Sequence, residues 1–91
     1  MHGAHFIAHV ASNGLGFPRI GLAVSRRVSK RAVERNRIKR IIRDSFRHHQ
    51  HELGAIDYIV VAKSGAAEQL NRVLRSELDK LWARARGKCE N

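Results

Sequence analysis

The chain has 91 residues, enough for one domain built on one compact core. Hydrophobic residues make up 43% of it, too many for a disordered tail, and no apolar run is long enough to span a membrane. A formal net charge of +10 points to an anionic partner, nucleic acid first and an acidic membrane surface second.

The opening Met1-His2-Gly3-Ala4-His5 lacks the basic-then-apolar layout of a secretion signal. His5 to Ala11 alternates, with Phe6, Ala8 and Val10 on one side and His5, Ile7 and His9 on the other, which predicts a half-buried strand. Asn13 to Pro18 is turn chemistry and is expected to close a hairpin. Arg19 to Ser25 predicts the second strand. It sends Ile20, Leu22 and Val24 inward and leaves a nearly bare face of Gly21, Ala23 and Ser25, open either to a ligand or to a packed helix. Ser29 is the expected N-cap of a helix that begins near Arg31 or Ala32 and presents its working surface from about Val33 to His49. Gly54 ends the pattern after Leu53. Asp57 to Ala62 reads as a central strand covered on both faces, followed by a helical turn around Gly65 to Leu70. Asn71 is the expected cap of the last helix, where Val73, Leu74, Leu78, Leu81 and Trp82 recur at helical spacing, Trp82 as core. The order β-β-α-β-α gives an α+β fold, a two-layer α/β sandwich.

The charge is concentrated. Between Arg26 and Arg47 lie ten basic residues (Arg26, Arg27, Lys30, Arg31, Arg35, Arg37, Lys39, Arg40, Arg43 and Arg47) against Glu34 and Asp44, a net +8. The other 69 residues carry eight basic and six acidic side chains, a net +2. A block this one-sided repels itself in the free protein, and an anionic ligand relieves the repulsion. Stepping about 100° per residue, Ile38, Ile41, Ile42, Phe46 and Leu53 share a face with Ser45 and His49. Asn36, Arg40, Arg43 and Arg47 stack along the opposite face, flanked by Lys39 and Arg37. Guanidinium forks hold two phosphate oxygens or stack flat on a base, and the Asn36 amide suits a base edge or a sugar hydroxyl.

The run Ser29-Lys30-Arg31-Ala32-Val33-Glu34-Arg35-Asn36-Arg37-Ile38-Lys39-Arg40, continuing through Arg43 to Arg47, resembles the signature helix of the bacterial ribonuclease P protein component. Arg19 to Val28 and Asp57 to Ala62 resemble that family's strands. The resemblance implies a non-catalytic subunit that binds the catalytic RNA of ribonuclease P, which itself removes the 5′ leader of precursor tRNA. It implies RNA contact by Arg35, Asn36, Arg37, Lys39, Arg40 and Arg43, extended to Arg26, Arg27, Lys30, Arg31 and Arg47. It also implies a leader cleft lined by Ile7 and His9, and a left-handed βαβ crossover of the ribosomal-protein-like kind. Against the family pattern, residues 1–91 read as a single RNA-binding domain that starts almost on its first strand, where the family has a preceding N-terminal helix; either the start is placed too far downstream or this version lacks half of the leader cleft. The expectation is retained RNA affinity with poor reading of the leader.

Other chemistry is thin. The eight acids form no convergent set for a metal nuclease, and His48-His49-Gln50-His51 offers no third zinc ligand, so magnesium is expected to bind mainly through the RNA. No catalytic residue is assigned to the polypeptide. A lone Cys89 suggests a free thiol in a reducing cytoplasm. The alternatives are a ribosomal-type structural RNA binder and a DNA-binding domain that lays Arg35 to Arg43 in a major groove, although Asn36 is the one polar base reader there.

Overall fold

A computed structural model describes residues 1–89, with side chains as far as Arg86, and finds the order β-β-α-β-α. The strands are β1 (Phe6–Ser12), β2 (Arg19–Ala23) and β3 (Ile56–Ala62), and the helices are α1 (Ala32–His49) and α2 (Asn71–Cys89). Single 3₁₀ turns, Gln50–Glu52 and Ala66–Glu68, precede and follow β3. Gly54, at φ 65°, supplies the left-handed step between α1 and β3 that a side chain would resist. The thiol of Cys89 lies outside the described side chains. No helix among the described residues is long and apolar enough to cross a membrane.

The expected hairpin does not form. The sheet order is β1-β3-β2, with β1 antiparallel and β2 parallel to β3, so β3 separates the two strands that Asn13 to Pro18 connects. The reason lies in that link. Asn13 folds it into an Asx turn by accepting from the Leu15 N–H (2.8 Å), then ties it to the start of β3 by donating to Asp57 (2.9 Å). The six-residue loop thus crosses the end of β3 instead of closing a tight turn. The parallel β2–α1–β3 unit takes the central edge, because its helix supplies the long crossover that parallel strands need.

Both helices lie on one face of the sheet. Phe6, Ala8, Tyr58, Val60 and Ala62 are buried beneath them, with Ile20 and Leu22 half-buried. On the other face Ile59 is 52% exposed, so β3 is central but is covered on one side only, against the sequence expectation. Ile38, Ile41, Ile42, Ser45 and Phe46 of α1 and Leu74, Leu78, Leu81, Trp82 and Ala85 of α2 complete the core. The rings of Phe46, Tyr58 and Trp82 meet edge to face, with centroids 5.5 to 6.1 Å apart. Each polar handle is satisfied: the Tyr58 hydroxyl donates to the Leu53 carbonyl (3.1 Å), and Trp82 Nε1–H donates to Ser45 Oγ (2.8 Å).

Two expected caps differ in the structure. Arg31, not Ser29, occupies the N-cap of α1, with no side-chain cap bond. Ser29 Oγ accepts from the Arg31 N–H (3.1 Å) and so closes the turn before the helix. Asn71 is already the first residue of α2. Its Oδ1 accepts from Arg37, while the Val73 and Leu74 N–H groups bond the Leu70 carbonyl. An arginine arriving from α1 outcompetes the local cap.

Candidate nucleic-acid interface

The arginine stripe survives folding as read. Asn36, Arg40, Arg43 and Arg47 are exposed while Ile38, Ile41 and Ile42 are buried, and Lys39 and Arg37 flank the stripe half-buried. Like charges at i,i+3 and i,i+4 cost roughly 0.2–0.5 kcal/mol per pair. Each fully buried isoleucine contributes about 1.5–3 kcal/mol, so packing holds the repelling row in place. Glu34 in the first turn and Arg47, His48 and His49 in the last suit the helix dipole.

Of the ten cations between Arg26 and Arg47, three are engaged within the protein. Arg31 reaches Glu34 (3.3 Å), and Arg35 donates to the Ser29 carbonyl (2.9 Å). Arg37 braces the two helices, giving Nη2 to the Ala67 carbonyl (2.9 Å) and Nη1 to Asn71 Oδ1 (2.5 Å) and the Gln69 carbonyl (3.4 Å). The side chains of Arg26, Arg27, Lys30, Lys39, Arg40, Arg43 and Arg47 have no hydrogen bond or ion pair among the described residues.

These groups fall into two concavities and a ridge. The first, of about 440 Å³, is lined by Arg26, Arg27, Lys30 and Arg35. It exists because the chain turns at Ser25 (Val28 N–H to the Ser25 carbonyl, 3.0 Å; Arg27 N–H to Ser25 Oγ, 3.2 Å) while Val28 anchors the turn in the core. The second, of about 320 Å³, brings Asn36, Arg37 and Arg40 together with Asn71 and Arg75 of α2. Lys39, Arg43 and Arg47 line neither hollow, and the last two stand on the open ridge; Arg31 sits at the helix start. Arg75 was not among the sequence-predicted contacts. Its i,i+4 spacing from Asn71 was available, but only the crossing of two helices reveals that it faces Arg40.

Ile7 and His9 lie elsewhere, on the uncovered face of the sheet. Ile7 is opposite Val61, and His9 is opposite Ile59. Gly21 lies beside Ile59, where an added Cβ would only touch Ile59 Cγ1 at an ordinary 3.8 Å, so the face forms a shallow apolar floor. Ile59 and Gly21 belong to that floor, and the reading of β3 as doubly covered concealed it.

At one end of the floor, Arg19 clamps its cross-strand partner Asp57 with two hydrogen bonds, Nε at 2.8 Å and Nη2 at 2.7 Å. Arg19, then Asn13, hold the Asp57 carboxyl down from an ordinary 3.8 to about 2. A carboxylate with a depressed folded-state pKa stabilises the fold above pH 4 and loses that effect as pH falls towards 2. An Asp57→Asn variant is therefore expected to have a flatter stability profile than the parent across that window, measured as the urea midpoint against pH. Superimposable profiles would show that the clamp has no linkage to folding.

Among the described residues, no three His, Cys, Asp or Glu side chains are grouped as a metal site would require. Asp79 and Glu77 are instead joined to His49 (3.0 Å) and His5 (2.8 Å).

The family model described as Ribonuclease P matches residues 1–86. The Ribonuclease P protein component of Idiomarina loihiensis is 48% identical over 87 residues, 96% of this chain and 70% of that protein. That of Salmonella arizonae is 58% identical over 72 residues, 79% of this chain, and the chain spans about 60% of its length. The solved RNase P protein of Staphylococcus aureus superimposes with a TM-score of 0.87 at 29% identity, covering 93% of this chain and 78% of its own.

Proposed function

Since this chain belongs to the ribonuclease P protein family, we propose that it acts as the protein subunit of ribonuclease P. In this reading it binds the catalytic RNA and contacts the 5′ leader of precursor tRNA, and the RNA subunit performs the hydrolysis. The observation that carries this reading is the set of seven cations on α1 and the turn before it that have no partner among the described residues, held in place by a buried isoleucine face. A preformed row of guanidinium groups meets phosphates without first breaking internal ion pairs, and the ordering cost of its helix is met by folding.

The chain's own residues bind and orient. Arg26, Arg27, Lys30 and Arg35 cradle phosphate on one side of the helix start, and Arg40, Arg43 and Arg47 track the backbone beyond it. Arg37 serves first as a brace between helices, with its RNA contact limited to the faces of its guanidinium plane. The uncovered sheet face, with Ile7 and His9, takes the leader as a single strand lying over apolar side chains. Magnesium, held mainly by RNA phosphates, supplies charge neutralisation; the described side chains form no cage for it.

Reconstitution tests the reading. Added to a bacterial ribonuclease P RNA and a precursor tRNA at low magnesium, the chain is expected to raise leader removal, and Arg43→Ala to raise it less. No stimulation by the parent, or full stimulation by the variant, would sink it.

A further inference from the structure

The hollow between α1 and α2 differs in kind from the ridge beside it. A phosphate site needs donors alone, yet this recess has an apolar wall of Val33 and Ile41 beneath its arginines. Val33 is 65% exposed on a helix whose other large apolar residues are buried, and it forms the rim of the recess. Between Val33 and Ile41 in the same row of α1, spaced i, i+4 and i+8, stands Arg37, with both terminal nitrogens already committed to Ala67, Gln69 and Asn71. A guanidinium with its edge tied up makes a poor phosphate fork, but its flat faces remain available for stacking. Asn36 lines the same recess with an amide that has no partner among the described residues, one group that both donates and accepts. Two cations from different helices, Arg40 and Arg75, complete it. The ion pair of Arg75 with Asp44 is stretched to 4.0 Å, and its side chain is 48% exposed, so little holds it back from a stronger acceptor.

Resting on the RNA-binding reading, we infer that this recess receives one unpaired nucleotide turned out of the partner RNA. The base lies flat over the row formed by Val33, the Arg37 plane and Ile41, and its edge meets Asn36. Its phosphate is held between Arg40 and Arg75. Sequence-specific contact with RNA favours such unstacked bases, because the grooves of an A-form helix hide their edges. The volume of about 320 Å³ suits a single nucleoside rather than a stack of them. The recess thereby gives the interface one position where base identity matters, amid contacts that read only the backbone.

The test uses the full chain with labelled methyl groups, titrated with adenosine monophosphate and, at matched ionic strength, with inorganic phosphate. The nucleotide is expected to shift the Val33 and Ile41 methyl resonances through its ring current, and phosphate to leave them in place. Arg75→Ala should weaken nucleotide affinity about tenfold, the scale of one charge-assisted hydrogen bond. Lys80→Ala, which removes a charge elsewhere on α2, should leave that affinity unchanged. Equal methyl shifts from phosphate, or an Arg75→Ala variant that binds the nucleotide like the parent, overturns the recess. A parent chain without salt-dependent affinity for ribonuclease P RNA overturns instead the reading on which the recess rests.

Discussion

Replacing Arg40 and Arg43 together by alanine is expected to weaken binding to a bacterial ribonuclease P RNA by roughly ten- to hundredfold at physiological salt. Neither side chain has a partner within the described protein, so each is free to neutralise a phosphate. The log–log dependence of affinity on salt should flatten by about 1.4 to 1.8, two phosphates at roughly 0.7–0.9 each. The stability of the free protein should move the other way. Arg40 and Arg43 are spaced i,i+3, and Arg43 and Arg47 i,i+4, so the double replacement removes like-charge contacts and should raise stability by a few tenths of a kcal/mol. Opposite signs for binding and folding separate this outcome from simple misfolding. A variant with unchanged salt slope would mean that these arginines do not face the RNA.

Trp82→Ala carries the largest expected loss of stability. The indole is 2% exposed, packs edge to face on Phe46 and Tyr58, and donates to Ser45 on the opposing helix. Truncating a buried aromatic costs about 3–5 kcal/mol through lost transfer energy and the cavity left behind. A domain of this size has about 5–15 kcal/mol in total, so the variant should lose a large share of its stability. Trp82→Phe keeps much of the ring packing and should lose about 1 kcal/mol with the hydrogen bond. Urea denaturation followed by helical circular dichroism measures both. A Trp82→Ala midpoint close to that of the parent would show that the ring cluster is not what seats α1 on α2.

The arginine helix was legible because it is amphipathic at close to the ideal period: buried and exposed residues from Ile38 to Arg47 fall where an angular step of about 100° puts them. Element types and Trp82 as core followed from equally local signals. Strand order did not, because pairing depends on where Asn13 goes, and its partner Asp57 is 44 residues away. The same holds for the caps. Asn71 carries a good local capping signal, but Arg37, 34 residues earlier, takes its side chain. In the candidate interface, spacing showed which residues leave the helix, and could not show that Arg37 spends both terminal nitrogens inside the protein. Nor could it show that Arg75 joins Arg40, since that needs the crossing of two helices. The open sheet face was hidden for a similar reason: β3 is apolar on both sides, and sequence cannot say that both helices choose the same one.

The parallel unit β2–α1–β3 has a mechanical consequence. A pull on the guanidinium row, such as a rearranging RNA would exert, leaves α1 at both ends through neighbouring strands. Those strands share one ladder, from Arg19 opposite Asp57 to Ala23 opposite Val61, so the load falls on its bonds in shear and they resist together. β1 pairs with the far edge of β3 and, on its other side, through an isolated bridge with His2, and lies outside this path. In amide hydrogen exchange β1 is accordingly expected to open first, with β2, α1 and β3 opening as one unit at the free energy of global unfolding; slower exchange in β1 than in β2 would contradict this.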